Sequence, residues 1–375
     1  MDLVLVVVAV AAINSLFSLA SYRRRRMRFF AGLLILFSLQ WSVFADSSLN
    51  VTTHYYSLEP GLTITKPIIA FENDLSLQTT LNARITVDRV ETNYDDVDAV
   101  SGASQFTGEL DSSVDTRQEY VVSASHIVGN WTFSGGYLRS IEKDYKSHSP
   151  SVSFSRDFNR RNTTLSAGYA HNFDTVEGRY MSEAESKNVD NFSLALTQVL
   201  TPRSLMQVGY TLQANDGFLS TGNRQIKLEN DLLFDEFLPS TRTRHAVALR
   251  YAHWLPTKTA LHAGYRYYQD DWQLTSNTLE LKAYQNISKR LQLRAELRFY
   301  DQSAVEFMKT SYTGNENYLT SASSLKAFSS KLYGLKLNYS PRNLGNSQFQ
   351  LKYERYSQST GLEGDIFMFA GEFVF

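Results

Sequence analysis

A chain of 375 residues with a formal net charge of -1 offers no basic surface for nucleic acid, and its lack of cysteine excludes disulfides, thiolate metal ligands and a cysteine nucleophile. Its 22 Tyr and 23 Phe against 7 Pro favour strands, because aromatic side chains suit a pleated surface. The length admits two or three ordinary domains or one large closed β structure.

In chain order, the first feature is an apolar run over residues 3 to 20, "LVLVVVAVAAINSLFSLA", followed by "RRRR" at 23 to 26. About 18 apolar residues suffice to span a bilayer as a helix. A second run, "RFFAGLLILFSLQWSVFA" at 28 to 45, has a basic start, an apolar middle and Val43 and Ala45 before Asp46. That is the pattern a signal peptidase cuts. The expected organisation is a spurious extension or extra apolar helix over 1–26, with translation starting at Met27, then a signal peptide over 27–45 and the mature protein over 46–375.

Beyond that point the sequence alternates. In "MQVGYTLQA" (206 to 214), Met206, Val208, Tyr210 and Leu212 are interleaved with Gln207, Gly209, Thr211 and Gln213. "LQLRAELRF" (291 to 299) and "LYGLKLNY" (332 to 339) repeat the pattern. Successive strand side chains point to opposite faces, so each segment has one apolar and one polar face. Strand starts are expected near 50, 63, 78, 119, 130, 148, 162, 189, 204, 243, 259, 273, 291, 329, 347 and 365. A soluble sandwich would also alternate. Most runs here last about 9 to 12 residues, however, enough for a tilted strand to cross hydrocarbon and longer than a typical soluble strand.

The connections are of two kinds. Tight turns are expected at "GN" (129 to 130), "NRRN" (159 to 162), "TPRS" (201 to 204), "LPTK" (255 to 258), "SKR" (288 to 290) and "PRNLGNS" (341 to 347). Longer loops lie near 91–118, 174–188, 215–242 and 303–328. Short turns on one rim and long loops on the other are the asymmetry of outer-membrane barrels. The fold class is therefore all-β: a transmembrane antiparallel β-barrel of about sixteen strands, within a range of about 14 to 18, preceded by a signal sequence, with both termini in the periplasm. Pro67 in "TITKPIIAFE" predicts a bulged or partly extramembrane second strand, since proline cannot donate to a ladder.

Gly-Tyr recurs at Gly136, Gly168, Gly209 and Gly264, each about half a dozen residues after a tight turn. The tyrosines, Tyr137, Tyr169, Tyr210 and Tyr265, take the lipid-facing parity, and the glycines face inward to relieve crowding. Trp131 and Trp272 are expected in the aromatic girdles. The lumen wall is assigned Arg250, Arg266, Lys282, Arg294, Glu296, Arg298, Lys336 and Lys352, together with Glu280 and Glu354. A one-residue slip would turn these charges to lipid at about 2 to 4 kcal/mol for each midplane Arg or Lys. They form either a mildly basic, anion-favouring wall or a salt-bridge ladder, with pairs such as Lys282 and Glu296.

Between 91 and 116, Glu91, Asp95, Asp96, Asp98, Glu109, Asp111 and Asp115 stand without a basic residue. The spacing is not that of a defined calcium loop, and a solvated surface loop is expected, with no metal site. Among the histidines, His171, His245 and His253 fall on the lipid-facing parity; with His126 and His262 they form no catalytic set at a telling spacing. No catalytic residue, enzyme activity or cofactor is assigned. The final "GDIFMFAGEFVF" sets Phe367, Phe369, Gly371, Phe373 and Phe375 on one face, the arrangement of an assembly signal that a barrel-assembly machine reads by strand pairing.

The stretches "VDAVSGAS" (97 to 104), "SRDFNRRNTTLSAGYAHNFD" (155 to 174), "TRTRHAVALRYAHWLP" (241 to 256), "LHAGYRYYQDDW" (261 to 272) and "LRFYDQSAVEF" (297 to 307) together resemble a bacterial family of predicted outer-membrane barrels, the 3570-type domain of unknown function. The resemblance covers most of 50 to 375 and implies a barrel; it carries no substrate and no catalytic position. The expectation is an integral outer-membrane protein of a Gram-negative bacterium, surrounded by lipid and lipopolysaccharide. Its expected role is a porin-like channel for small polar or anionic solutes. The alternative is a non-transporting scaffold whose extracellular loops or periplasmic turns dock a partner, notably 215 to 242 with its apolar "LLFDEF".

Overall fold

Two-residue alternation produces long strands throughout the computed structural model, which describes residues 47–92 and 113–375. The first are β1 (Ser47–Glu59), β2 (Leu62–Ser76), β3 (Thr79–Thr92), β4 (Ser113–Val128), β5 (Trp131–Ile141) and β6 (Tyr145–Phe158). Next come β7 (Thr163–Val176), β8 (Glu185–Thr201), β9 (Ser204–Gly217), the short pair β10 (Gln225–Lys227) and β11 (Leu233–Asp235), and β12 (Thr241–Leu255). The chain continues through β13 (Thr259–Asp270), β14 (Thr275–Asn286), β15 (Leu291–Gln302), β16 (Phe328–Tyr339), β17 (Gln348–Gln358) and β18 (Glu363–Val374). The signal-sequence region and most of the acidic stretch at 91–116 lie outside the described residues.

Each strand pairs antiparallel with its neighbour in sequence, except that β9 pairs with β12, because β10 and β11 form a separate hairpin. The last strand closes on the first, in register from Ser48↔Val374 to Glu59↔Glu363. Closure leaves no unpaired strand edge, which a chain facing hydrocarbon requires. Sixteen strands make the barrel, and fifteen of the expected starts lie within four residues of an observed one; β4 begins six residues earlier than expected, at Ser113 instead of 119.

Tight turns at 77–78, 129–130, 159–162, 202–203, 256–258, 287–290 and 340–347 share one rim with the start of β1 and the end of β18. The opposite rim carries the longer connections, among them L3 (142–144), L4 (177–184), L5 (218–240), L6 (271–274) and L7 (303–327). Between the rims the faces differ as the pattern dictates. Leu165, Tyr169 and Phe173 of β7 point outward and are exposed, whereas Ser166, Gly168, Ala170 and Asn172 line the interior. Water does not lie against so continuous an apolar exterior at low cost, and lipid does.

Pro67 does not shorten its strand. β2 runs unbroken and pairs with β1 through Thr53↔Pro67; the ladder to β3 skips Lys66 and Pro67 and resumes in the same register, and its one register shift, a bulge, lies away from the proline, between Asp74 and Ser76. Pro150 behaves alike: it faces Tyr137 on β5, and the β6 to β7 ladder skips it. Each strand residue sends its N–H toward one neighbour only, so a proline turned to the right side forfeits a single bond.

Apolar cores lie at the loop rim. Leu58, Leu62, Ile64, Val90, Leu332, Tyr356 and Ile366 cluster on the inner faces of β1–β3 and β16–β18. A second cluster joins three loops: Trp272 and Leu274 of L6 pack with Val305, Ala322 and Leu325 of L7, against Leu219 and Leu238 of L5. Trp272 is therefore not a girdle residue. Its indole is buried among the loops, donates to the Thr241 carbonyl at 2.9 Å and stacks under the Arg242 guanidinium at 4.2 Å. A third cluster, Ile226, Leu228, Tyr312 and Leu319, ties the β10–β11 hairpin to L7, as does the Phe237↔Leu319 bridge. L5 also reaches sideways, where the Gly222 carbonyl accepts from the Tyr180 amide of L4 at 2.9 Å and Asn223 donates to Asp144 of L3.

Candidate functional site

The interior is the candidate site, and it has two unlike walls. At mid-height β5–β8 offer small side chains: Ser134 and Gly136, then Ser149, Ser151 and Ser153, then Ser166, Gly168 and Ala170, then Asn191 and Ser193. Of the repeated glycines, Gly136 and Gly168 sit in crowded positions, since a Cβ there would lie 3.0 Å from Ser151 Oγ and 2.9 Å from Ser193 Oγ respectively and those hydroxyls would have to turn aside. A Cβ at Gly209 or Gly264 would meet nothing closer than 3.9 Å, so crowding does not explain those two.

The opposing wall, β12–β17, is ionic. Lys282 bridges Glu280 at 2.9 Å and Glu296 at 3.4 Å, Glu296 also takes Arg294 at 2.8 Å, and Lys352 pairs with Glu354 at 2.8 Å. Glu296 and Glu354 flank Gly334, where a Cβ would approach Glu354 Cγ to 2.5 Å; the glycine is what lets both carboxylates lie against the wall. One rung away, Arg294, Lys336 and Lys352 stand side by side on three adjacent strands. Like charges directly opposite are unfavourable. Arg244, Arg250, Arg266, Arg298 and Lys336 make no ion pair among the described residues, although Arg244 and Arg250 donate to Gln213 at 2.8 Å and Gln207 at 3.1 Å. All eight residues assigned to the lumen wall from the sequence, Arg250, Arg266, Lys282, Arg294, Glu296, Arg298, Lys336 and Lys352, lie on inward positions. The assignment missed Arg244, which the alternation through "RTRHAVALR" also turns inward.

Space remains between the walls. Lys282, Arg294, Arg298 and Glu354 frame a cavity of about 360 Å³ with Tyr56 and Tyr356. A second of about 360 Å³ lies at the loop rim, where Ser220 and Thr221 of L5 overhang Arg117, Ser147 and Lys187. A third, about 530 Å³, has Ser153, Gly168 and Ser193 on one side and Arg244, Arg266 and Tyr268 on the other.

Of the acidic stretch, Asp115 meets Glu142 and Asp144, with a carboxylate oxygen of each within 4.8 Å of the others. Burial raises the Asp144 carboxyl above its usual range, against the hydrogen bond from Asn223. The histidines are dispersed. His126 contacts Thr79 at 2.9 Å, His171 meets Asp190 at 2.7 Å, and His245 meets the Tyr210 hydroxyl at 2.8 Å. His253 stacks on Tyr251, and His262 faces inward beside Tyr284.

On the outside, the Gly-Tyr tyrosines form a tier whose hydroxyls meet polar groups: Tyr137 with His148 at 2.6 Å, Tyr169 with Asp190 at 2.6 Å and Tyr265 with Asn277 at 2.6 Å. Near the turn rim, Arg156 lies 4.9 Å over Trp131. Rings with one apolar body and one polar tip suit the two membrane interfaces. Phe367, Phe369, Gly371 and Phe373 share the outer face of β18, with Phe373 edge-on to Phe349 at 5.9 Å; Phe375 follows the strand.

Among curated proteins none matches the chain. Solved structures of similar fold include CdiB from Acinetobacter baumannii, with a TM-score of 0.53 at 9% identity over 88% of this chain and 60% of that one. OccK1 (OpdK) of Pseudomonas aeruginosa aligns at a TM-score of 0.46 and 9% identity, over 88% of this chain and 98% of that one. A loop-deletion mutant of OmpT, an outer membrane protein of Vibrio cholerae, aligns at 0.47 and 8% identity, over 88% and 98%. Residues 38–366 match the family described as protein of unknown function DUF3570, and the chain belongs to it, as a sixteen-stranded barrel of the outer-membrane type.

Proposed function

We propose that the barrel sits in the outer membrane of a Gram-negative bacterium, loops outward and turns in the periplasm, and conducts small polar solutes with a preference for anions. One observation carries this reading: the inner wall holds more cationic groups than it pairs, with Arg250, Arg266, Arg298 and Lys336 facing the interior and none of them in an ion pair among the described residues, although Arg298 lies across from Glu280. A purely structural interior gains nothing from uncompensated charge, whereas a conduit uses it to set which ions enter. In this reading lipid and lipopolysaccharide surround the outer face, and the assembly machinery reads the outer-face phenylalanines of β18. No reaction is assigned to the protein.

The test is single-channel recording of purified, refolded protein in planar bilayers. Discrete current steps and an anion-selective reversal potential are expected. Reversing Arg294 and Arg298 to Glu moves that potential toward cations. A folded barrel that carries no current overturns the proposal. It would leave the scaffold reading, which rests on the exposed Leu232, Leu233, Phe234 and Phe237 of L5.

A further inference from the structure

The largest of the three cavities lies where the two walls meet, and its polar groups are arranged in one direction. Arg244 Nη1 donates to Gln213 Oε1 at 2.8 Å, and Gln213 Nε2 donates in turn to Asn191 Oδ1 at 2.8 Å. The relay engages each amide oxygen once. What it leaves unengaged are donors: Arg244 Nε, which is buried without a partner, and the Asn191 amide N–H groups. Arg266 stands on β13 four residues from Asp270, the register partner of Arg244, with Tyr268 on the inward position between; it lines the same recess across from Ala248, its guanidinium 5.5 Å from the Tyr268 ring centroid, and makes no ion pair among the described residues. A space of about 530 Å³ bounded by two guanidinium groups and an amide, in which N–H donors outnumber the side-chain amide oxygens, favours a solute rich in acceptors. On the other side Ser151, Ser153 and Ser193 offer hydroxyls that both donate and accept, at a depth kept open by Gly168.

We propose that this recess is a solute-binding station for small hydroxylated carboxylates of the sugar-acid class, the carboxylate held by Arg244 and Arg266 and the hydroxylated body by the serine wall. Arginine suits this role because its planar fork matches a carboxylate in two bonds. Serines alone would hold a neutral sugar no better than water does. The proposal rests on the channel reading and gives it a solute class.

Glucuronate is the probe, with glucose as its uncharged analogue and acetate as its carboxylate without hydroxyls. Each is titrated into wild-type protein conducting chloride, and current blockade is read. Glucuronate is expected to block at lower concentration than either control. In Arg244→Ala/Arg266→Ala its half-blocking concentration rises by about tenfold or more, as expected for losing charge-assisted bonds. Discrete chloride steps and the electrophoretic shift between unboiled and boiled protein persist, with anion selectivity lowered by the lost charges, so the blockade is compared at matched open-channel current. Should the double variant not fold, Arg266→Ala alone serves, because that side chain has no hydrogen-bond partner to strand. If current flows but glucuronate blocks no better than glucose, or the variants block like wild type, the station is refuted and the channel stands. If the folded wild-type protein carries no current, the channel reading falls, and calorimetric titration of glucuronate onto the solubilised barrel decides the station alone: heat lost in the variant supports it, no heat refutes it.

Discussion

Replacing Glu236 with Ala should release L5 from L7 without disturbing the barrel wall. The Glu236 carboxylate is 2% exposed and accepts from Ser220 at 2.7 Å, from Thr320 at 2.5 Å and from Arg224, itself 2% exposed, at 3.4 Å. It thus joins both ends of L5 to the far end of L7. Removing this buried, hydrogen-bonded carboxylate costs about 3 to 5 kcal/mol, because the Ser220 and Thr320 hydroxyls lose their acceptor and Arg224 loses one of its partners in a site that water does not reach. At about 1.4 kcal/mol per tenfold, the open population of the loop pair rises roughly 150-fold to several thousandfold. Hydrogen exchange on peptides from 218–240 and 303–327 reads this directly, since protection there reports the local opening equilibrium. Peptides from β14 and β15 serve as the internal standard. Glu236→Gln retains an acceptor for one of the two hydroxyls, which donate to different carboxylate oxygens, and should fall between wild type and Ala. Unchanged loop protection in the Ala variant, or an equal loss in the strands, would refute the view that this carboxylate locks the loops independently of the wall.

Truncating Phe373 and Phe375 to Ala should reduce the heat-modifiable, membrane-inserted fraction several-fold while leaving the unfolded precursor abundant, as electrophoresis of outer-membrane and soluble fractions would show; equal insertion would dissociate these rings from assembly. Acid should loosen L7 late. Desolvation pushes the Glu316 carboxyl up, but the Thr313 amide, the Lys309 ammonium and the Gly314 amide outweigh it and hold the carboxyl at about 2 instead of the ordinary 4.5. A lowered folded-state value gives stability that is present above 4.5 and lost as pH falls toward 2, so exchange at 309–316 should stay protected at pH 5 and rise only below about 4.

The barrel was legible in the sequence because period-two alternation is a local property repeated sixteen times, and each repeat carries the penalty of putting charge into lipid if misread. Arg294 and Arg298 on β15 could face only inward. The loops were not legible, because their order comes from contacts between residues such as Glu236 and Thr320 that are remote along the chain. Trp272 shows the same limit: two residues past a strand end, a tryptophan for a membrane interface and one for a loop core read alike, and only the packing of L5 and L7 over it separates them. Pro67 was misjudged for a different reason. Whether a strand proline costs a bond depends on which neighbour its nitrogen faces, and that follows from register, not from composition. The candidate site was half legible. Inward charges followed from parity, but the donor relay through Arg244, Gln213 and Asn191 joins three strands and appears only when they are laid side by side.

The mismatch between the walls has an electrical consequence. Strands β5–β7 lie half a circumference from β15–β17, so a nearly uncharged surface faces a cationic one across the same cross-section. The resulting field runs sideways, perpendicular to the direction of travel. In the proposed channel, a molecule with a permanent dipole is turned by such a field, negative end toward the arginines, and so would pass in one orientation, like a key held to one side of its slot.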